Sequence, residues 1–211
     1  MPEKTVQKEP GKKPAPSKKP KPQQEVVVQI PLSELHPFPD HPFQVREDAS
    51  MQETAESVKE YGVLVPALAR PREDGGYELI AGHRRKHACE LAGLTTMPVI
   101  VRDIDRDAAT IIMVDSNLQR ENILPSERAK AYKMKMEAIK RQGARTDLTS
   151  PKISAKFRSD DEVGQDAGVS GDTIRNYIAL TQLVPELQQM VDEKKIALSP
   201  AYQIAALTPK E

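Results

Sequence analysis

The chain lacks tryptophan altogether, and aromatic residues account for only 4% of its 211 positions. With 38% hydrophobic and 29% charged residues, it suits modest cores under a large solvated surface. A lone cysteine, Cys89, excludes an internal disulfide framework and fits a reducing compartment. No apolar run approaches the roughly 20 residues that a bilayer span requires, so no membrane partner is expected. The N-terminal lysines are not followed by a hydrophobic stretch, which argues against a secretory signal and for the cytoplasm. An excess of one charge is missing too: 31 Lys and Arg balance 31 Asp and Glu. Any case for nucleic acid must therefore come from local charge.

What is present falls into an arm and two units. Residues 1–25 are rich in Lys and Pro (Lys12, Lys13, Pro14, Lys18, Lys19, Pro20) and read as a disordered arm. It is either a solvated leader or a basic peptide that touches a partner or DNA. Order begins with the β-branched run Val26-Val27-Val28-Gln29-Ile30, a strand. Residues 36–42, with two His-Pro steps, read as a loop. Ser50 and Glu53 form a capping-box pattern before a helix that Gly62 ends. Residues 63–70 read as a strand interrupted by Pro66, which suits an edge or a bulge.

Asp74-Gly75-Gly76 turns into a strand over residues 77–81, Gly82 opens a helix over 83–92, and residues 97–101 form another strand. A helix over 107–121 places Ile111, Val114 and Leu118 on one face. Pro125 starts the next, with the stripe Ala129, Tyr132, Met136 and Ile139. Residues 143–158 are polar and basic and read as a loop; the rest is helical. Strands precede Arg102 and helices follow it, so the fold class is α+β. A small mixed α/β domain (26–122) is followed by an all-α domain (123–211).

Within the second unit, residues 160–180 carry a helix-turn-helix pattern. Gly164 is small where two helices would cross, and Gly168 can take the left-handed turn between them. Val163, Ala167, Val169, Ile174 and Tyr177 supply the apolar contacts, and Ser170 can cap the second helix. That helix would present Asp172, Thr173, Arg175 and Asn176. Arg and Asn can form the bidentate contacts that distinguish G and A in a major groove. Lys152, Lys156 and Arg158 lie just upstream, where phosphate contacts would position the unit.

In the first unit, Gly82-His83-Arg84-Arg85 links a strand to a helix start. Backbone donors and fixed positive charge there suit a phosphate. Arginines in a first turn oppose the helix dipole, which favours an anion as their partner.

Four ordered stretches carry a resemblance: Phe43-Gln44-Val45-Arg46, Gly62-Val63-Leu64-Val65-Pro66, Ala81-Gly82-His83-Arg84-Arg85 and Asn117-Leu118-Gln119-Arg120-Glu121-Asn122. With the helix-turn-helix beyond them, the chain resembles the ParB family of partition proteins from about Ile30 to Leu207. The resemblance implies a ParB/sulfiredoxin-like domain that binds CTP, with Mg2+, through Gln44, Arg46, Gly62, Gly82, His83, Arg84, Arg85, Ser116, Asn117 and Arg120. It implies a homodimer on a palindromic duplex, associated with nucleoid or plasmid, that closes into a sliding clamp. A ParA-type ATPase would be the motor partner, engaged through the arm. Family members usually continue into a C-terminal dimerisation domain; here either the chain is truncated or pairing depends on the first two domains.

The chain departs from the family pattern twice. His83 stands where the family usually has Glu, and Ser116 stands where another Glu is usual, with Asp115 one residue earlier. Those carboxylates would serve metal coordination or water activation. CTP is therefore expected to be bound but hydrolysed slowly or not at all, and no protein metal site is assigned. Asp115 could partly restore metal binding, although it points about a quarter-turn away from Ser116. Sulfiredoxins carry a nucleophilic Cys in the corresponding turn, absent from Ala81-Gly82-His83-Arg84, so sulfinic-acid repair is excluded. A nuclease would need clustered acidic ligands, which are not found. The competing reading is a transcription regulator of a mobile element that uses this fold without clamp sliding.

Overall fold

The computed structural model describes residues 26–120, 122–147 and 159–207. Five strands form one mixed sheet: β1 (Val27–Pro31), β2 (Leu35–Pro37), β3 (Ala67–Pro71), β4 (Tyr77–Ala81) and β5 (Thr96–Val101), in the order β1-β5-β3-β4-β2. β1 runs antiparallel to β5, with Ile30 opposite Met97, and β5 runs parallel to β3. β3 and β4 form an antiparallel hairpin, and β2 lies parallel to β4. Helices α1 (Ala49–Tyr61) and α2 (His83–Leu91) contribute Met51, Val58, Ala88 and Cys89 to one core with Leu35, Ala67, Ala69, Leu79 and Val99. Helices α3 (Arg106–Leu118) and α4 (Pro125–Asp147) build another core, around Ile80, Phe38, Phe43, Ala109, Met113, Val114 and Ala131. Adjacent residues of β4, Leu79 and Ile80, thus feed opposite faces, as the period of a strand requires.

Several local expectations are corrected. Asp48, not Ser50, caps α1, accepting from Met51 N at 2.9 Å, and Ser50 sits inside the helix. β3 begins at Ala67 and is paired on both sides, so Pro66 lies before the strand and not on an edge. The irregularity itself is a register shift between Leu68 and Ala69. His36 and Pro37, expected in a loop, belong to β2; three residues are too few to show a period. α3 stops at Leu118 rather than near 121, with Arg120 N closing onto Asn117 O at 3.0 Å. α4 continues through Gly143 to Asp147, where a loop was expected. An isolated glycine costs a helix only about 1 kcal/mol, which packing overrides.

The remaining helices are α5 (Ser159–Ala167), α6 (Gly171–Ala179), α7 (Pro185–Asp192) and α8 (Leu198–Ala205). Val163 and Ile174 are fully buried with Tyr132 of α4, and Ala167, Val169 and Tyr177 pack around them. Tyr177 stands edge-on to both Tyr132 and Tyr202, at 5.7 and 6.2 Å between ring centroids. Ala129, Leu180, Leu183, Val191 and Ala201 form a further core that seats α7 and α8. Among the described residues, no helix is long and apolar enough to cross a membrane.

Lys135 of α4 is buried, with 1% of its side chain exposed, between α3 and α5. Its ammonium donates to Asp115 Oδ1 at 2.7 Å and to Asp166 Oδ2 at 2.9 Å. Burial alone would lower its pKa, but the two carboxylates outweigh that and raise it. Removing both carboxylates (Asp115→Ala with Asp166→Ala) leaves a buried charge unpaired and is expected to cost about 3 kcal/mol. Lys135→Met removes the charge while filling the space and is expected to cost less than that double variant. Urea denaturation followed by circular dichroism ranks them; the opposite order would mean that the ion pairs contribute little.

Candidate functional site

The loop entering α1 brings Gln44 and Arg46 beside the first turn of α4. Glu127 organises this meeting: Oε2 accepts from Leu124 N at 3.1 Å, and Oε1 accepts from Gln44 N at 3.0 Å. Arg46 approaches the same carboxylate at 3.9 Å. Opposite, Arg84 from the first turn of α2 reaches Asp48 at 3.5 Å and Ser50 Oγ at 3.3 Å. Together with Arg120, which follows α3, these groups line a cavity of about 340 Å3. Four of the expected nucleotide residues, Gln44, Arg46, Arg84 and Arg120, therefore share one wall system. A wider groove of about 560 Å3 lies between α3, α4 and α5, but Asp115 and Asp166 line it, which disfavours an anion.

Positive charge is concentrated at this cavity. Burial pulls the pKa of Arg120 down, and the like charge of Arg84 adds to the effect. Arg85 is lowered in the same way, by burial and then by Arg120. Arginine keeps its proton regardless, so mutual repulsion makes an anion the favourable guest. Gly82 permits the assembly: its φ is +112°, and a Cβ there would stand 2.8 Å from the Cβ of Ala67.

The other expected residues surround the cavity without lining it. Arg85 donates to the carbonyls of Val65 and Pro66, each at 2.6 Å, and so ties down the segment that begins at Gly62. Ser116 Oγ and Asn117 Nδ2 both donate to Met113 O, at 2.9 and 2.8 Å, within their own helix. Asp115 is engaged by Lys135, so the idea that it could stand in for the missing glutamate is corrected. The carboxylates nearest the cavity are also committed, Asp48 to the α1 cap and Arg84, Glu127 to Leu124 and Gln44. Among the described residues no cluster of three metal-ligating side chains exists. The donor set does not fit a Mg2+ ion held by protein carboxylates.

Sequence reading missed Glu127, Asp48, Lys135 and His41. The ring of His41 lies 3.9 Å from that of His83, tilted by 44°, and its Nδ1 bonds Phe43 O at 2.7 Å. The pKa of His83 is lowered to about 3, first by burial and then by His41, Arg120 and Lys86. His83 is therefore neutral in the fold at any working pH. Because the folded value lies below the unfolded one near 6.5, the unfolded chain binds the extra proton. Stability is fully present above that pH and falls as the pH drops towards 3, by up to about 1.4 kcal/mol per pH unit. Urea titrations between pH 4 and 6.5 should show this slope reduced in His83→Gln; parallel curves would mean that His83 is not held neutral.

The helix-turn-helix geometry follows the residues that predicted it. Gly168 has φ +68°, Val169 N bonds Gly164 O at 2.9 Å, and a Cβ on Gly164 would sit 2.6 Å from Val169 O. Ser170 caps α6 by accepting from Thr173 N at 3.1 Å. Asp172, Arg175 and Asn176 are exposed on α6, and Thr173 is half-buried. The guanidinium of Arg175 is held by Asp160 of α5 and by Asp172. Lys152, Lys156 and Arg158, and the arm at 1–25, lie outside the described residues.

The ParB N-terminal domain model matches residues 16–118, and the ParB HTH domain model matches 151–211. The chain belongs to the ParB family. The chromosome-partitioning protein Spo0J of Thermus thermophilus is 34% identical over 88% of this chain and 62% of its own length. A probable chromosome 1-partitioning protein ParB of Deinococcus radiodurans is 39% identical over 81% of this chain and 52% of its own. The chain thus spans between half and two thirds of these two curated relatives. A C-terminally truncated ParB from Caulobacter crescentus, solved in complex with the centromeric parS site, matches with a TM-score of 0.55 at 28% identity, covering 86% of each chain. A Pnob8-like ParB-N domain, at 18% identity and a TM-score of 0.58, shares the fold over 86% of this chain and 79% of its own. The mixed α/β domain followed by a helical unit is therefore the ParB arrangement.

Proposed function

We propose that this ParB-family chain is a sequence-specific DNA-binding partition protein that also binds CTP. The observation that carries the nucleotide half is the convergence of Arg84 and Arg120 on one cavity, with Arg46 opposite. Two guanidiniums without a shared carboxylate offer forked donors to a polyphosphate. The DNA half is supported by α5 and α6, whose crossing at Gly164 and turn at Gly168 present α6 outward. The Caulobacter crescentus ParB, which shares this fold, was solved on its centromeric site. On this reading Lys152, Lys156 and Arg158 contact phosphates, and Ser170, Asp172, Thr173, Arg175 and Asn176 form the reading surface.

The working form is then a homodimer on a palindromic duplex that CTP closes into a clamp. A ParA-type ATPase is its motor partner through the lysine-rich arm. Gln44, Arg46, Arg84 and Arg120 bind the triphosphate, and the segment pinned by Arg85 borders the base. Any magnesium is carried by the nucleotide, because protein carboxylates near the cavity are engaged elsewhere. Hydrolysis is slow for the same reason: His83 is neutral and Ser116 is bonded within α3.

Isothermal titration with CTP, ATP and GTP tests the nucleotide reading. CTP should be preferred, and Arg84→Ala or Arg120→Ala should weaken it about 10- to 100-fold, the worth of a charge-assisted hydrogen bond. Equal or absent binding of all three nucleotides, with palindromic DNA still bound, would favour a transcription regulator without a clamp. Phosphate release in the presence of CTP and the bound duplex should be barely above background and should rise in His83→Glu with Ser116→Glu. Brisk release by the unaltered chain would refute the slow-hydrolysis assignment.

A further inference from the structure

The helix-turn-helix is locally acidic, which is unfavourable for a unit that approaches phosphates. Asp160, Asp161, Glu162, Asp166 and Asp172 face a single basic residue, Arg175, between positions 159 and 180. That arginine is not free to roam. Its Nη1 donates to Asp160 Oδ2 on α5, and its Nη2 donates to Asp172 Oδ1 one turn back on α6. The three groups carry a net single negative charge, so Arg175 adds no attraction for the DNA backbone. Asp160 differs from an ordinary surface partner: its side chain is only 9% exposed, against 80% for Asp172. The buried carboxylate anchors the guanidinium of the second helix to the body of the first.

A guanidinium has five N–H donors, and these two bonds use two of them. A pinned arginine therefore keeps donors for a base edge while losing less rotamer freedom on binding. An unpinned one, on a long flexible stem, gains most from any nearby phosphate, whatever the sequence. We propose that Asp160 is a specificity-determining positioning residue: it holds Arg175 of α6 for base reading and withholds it from phosphates. This rests on the duplex-reading assignment made above.

The test uses the full chain and two probes: a palindromic duplex selected by the unaltered protein from a randomised pool, and a scrambled duplex of equal length. Affinity is measured for both across a salt series, with a thermal melt of each variant as the folding control. Asp160→Asn should raise affinity for the scrambled duplex, steepen its log–log salt dependence by about 0.9, as for one added phosphate contact, and lower the selected-to-scrambled ratio about 10-fold. Asp172→Asn, which disturbs no buried group, should shift both readouts the same way by less. Arg175→Ala should lose about 5- to 100-fold on the selected duplex and leave the scrambled one unchanged.

If Asp160→Asn does not fold, Asp172→Asn and Arg175→Ala decide the matter by the same ratio. An unchanged ratio and slope, with lowered melting temperatures only, would make the pair a structural tie between α5 and α6 and overturn the proposal. Failure of the unaltered protein to select any duplex would instead remove the DNA reading on which it stands.

Discussion

Both candidate sites depend on α4 being one unbroken helix. At 23 residues it is about 34 Å long, enough to reach from the sheet domain across the helical unit. Helical spacing divides its side chains into rows. Glu127, Ala131, Met134 and Ala138 recur at intervals of four and three; Glu127 meets the loop carrying Gln44, and Ala131 and Met134 pack with α3 and the sheet. Tyr132, Lys135, Met136 and Ile139 recur along another row, which meets α3, α5 and α6. Displacing the first turn would move Gln44 and Arg46, and displacing the middle would move the helix-turn-helix. The Lys135 bridge joins α3, which carries Asn117 and leads to Arg120, to the first helix of the helix-turn-helix.

Charge is handled differently in the two places. Around the cavity, Arg84, Arg85 and Arg120 oppose one another, and two of them lean on different fixed groups: carboxylate and hydroxyl for Arg84, backbone carbonyls for Arg85. Repulsion is offset at two of them, where hydrogen bonds hold the guanidiniums of Arg84 and Arg85 in place. On the helix-turn-helix the balance is reversed, and acidic groups restrain the one arginine. A chain with no net charge can therefore present an arginine-lined cavity and an acid-restrained helix together, since at about 8–10 Å screening each surface responds to its own neighbours.

Much of this was legible from the residues themselves. Gly164 and Gly168 announced a close crossing and a left-handed turn, because only a residue without Cβ fits those positions cheaply. Gly82 announced a strand-to-helix junction that a side chain would not fit, and the β-branched and helical periods placed most elements. Less legible was anything that depends on two distant segments. Nothing local marks Glu127, which bonds Gln44, 83 positions away. Nothing local marks Lys135 either, and it is buried. Asp115 looked available for a metal and is not.

Local sequence thus determined most of the helices and strands and where the glycine-led turns fall, because steric limits and periodicity act over a few residues. The partner of each charge was decided only by tertiary packing. Whether Arg175 is loose or gripped, whether His83 is wet or neutral, and whether β3 is edge or interior all depend on what a separate stretch brings within a few ångströms. Electrostatic and hydrogen-bond energies are fixed by those distances, and separation along the chain does not encode them.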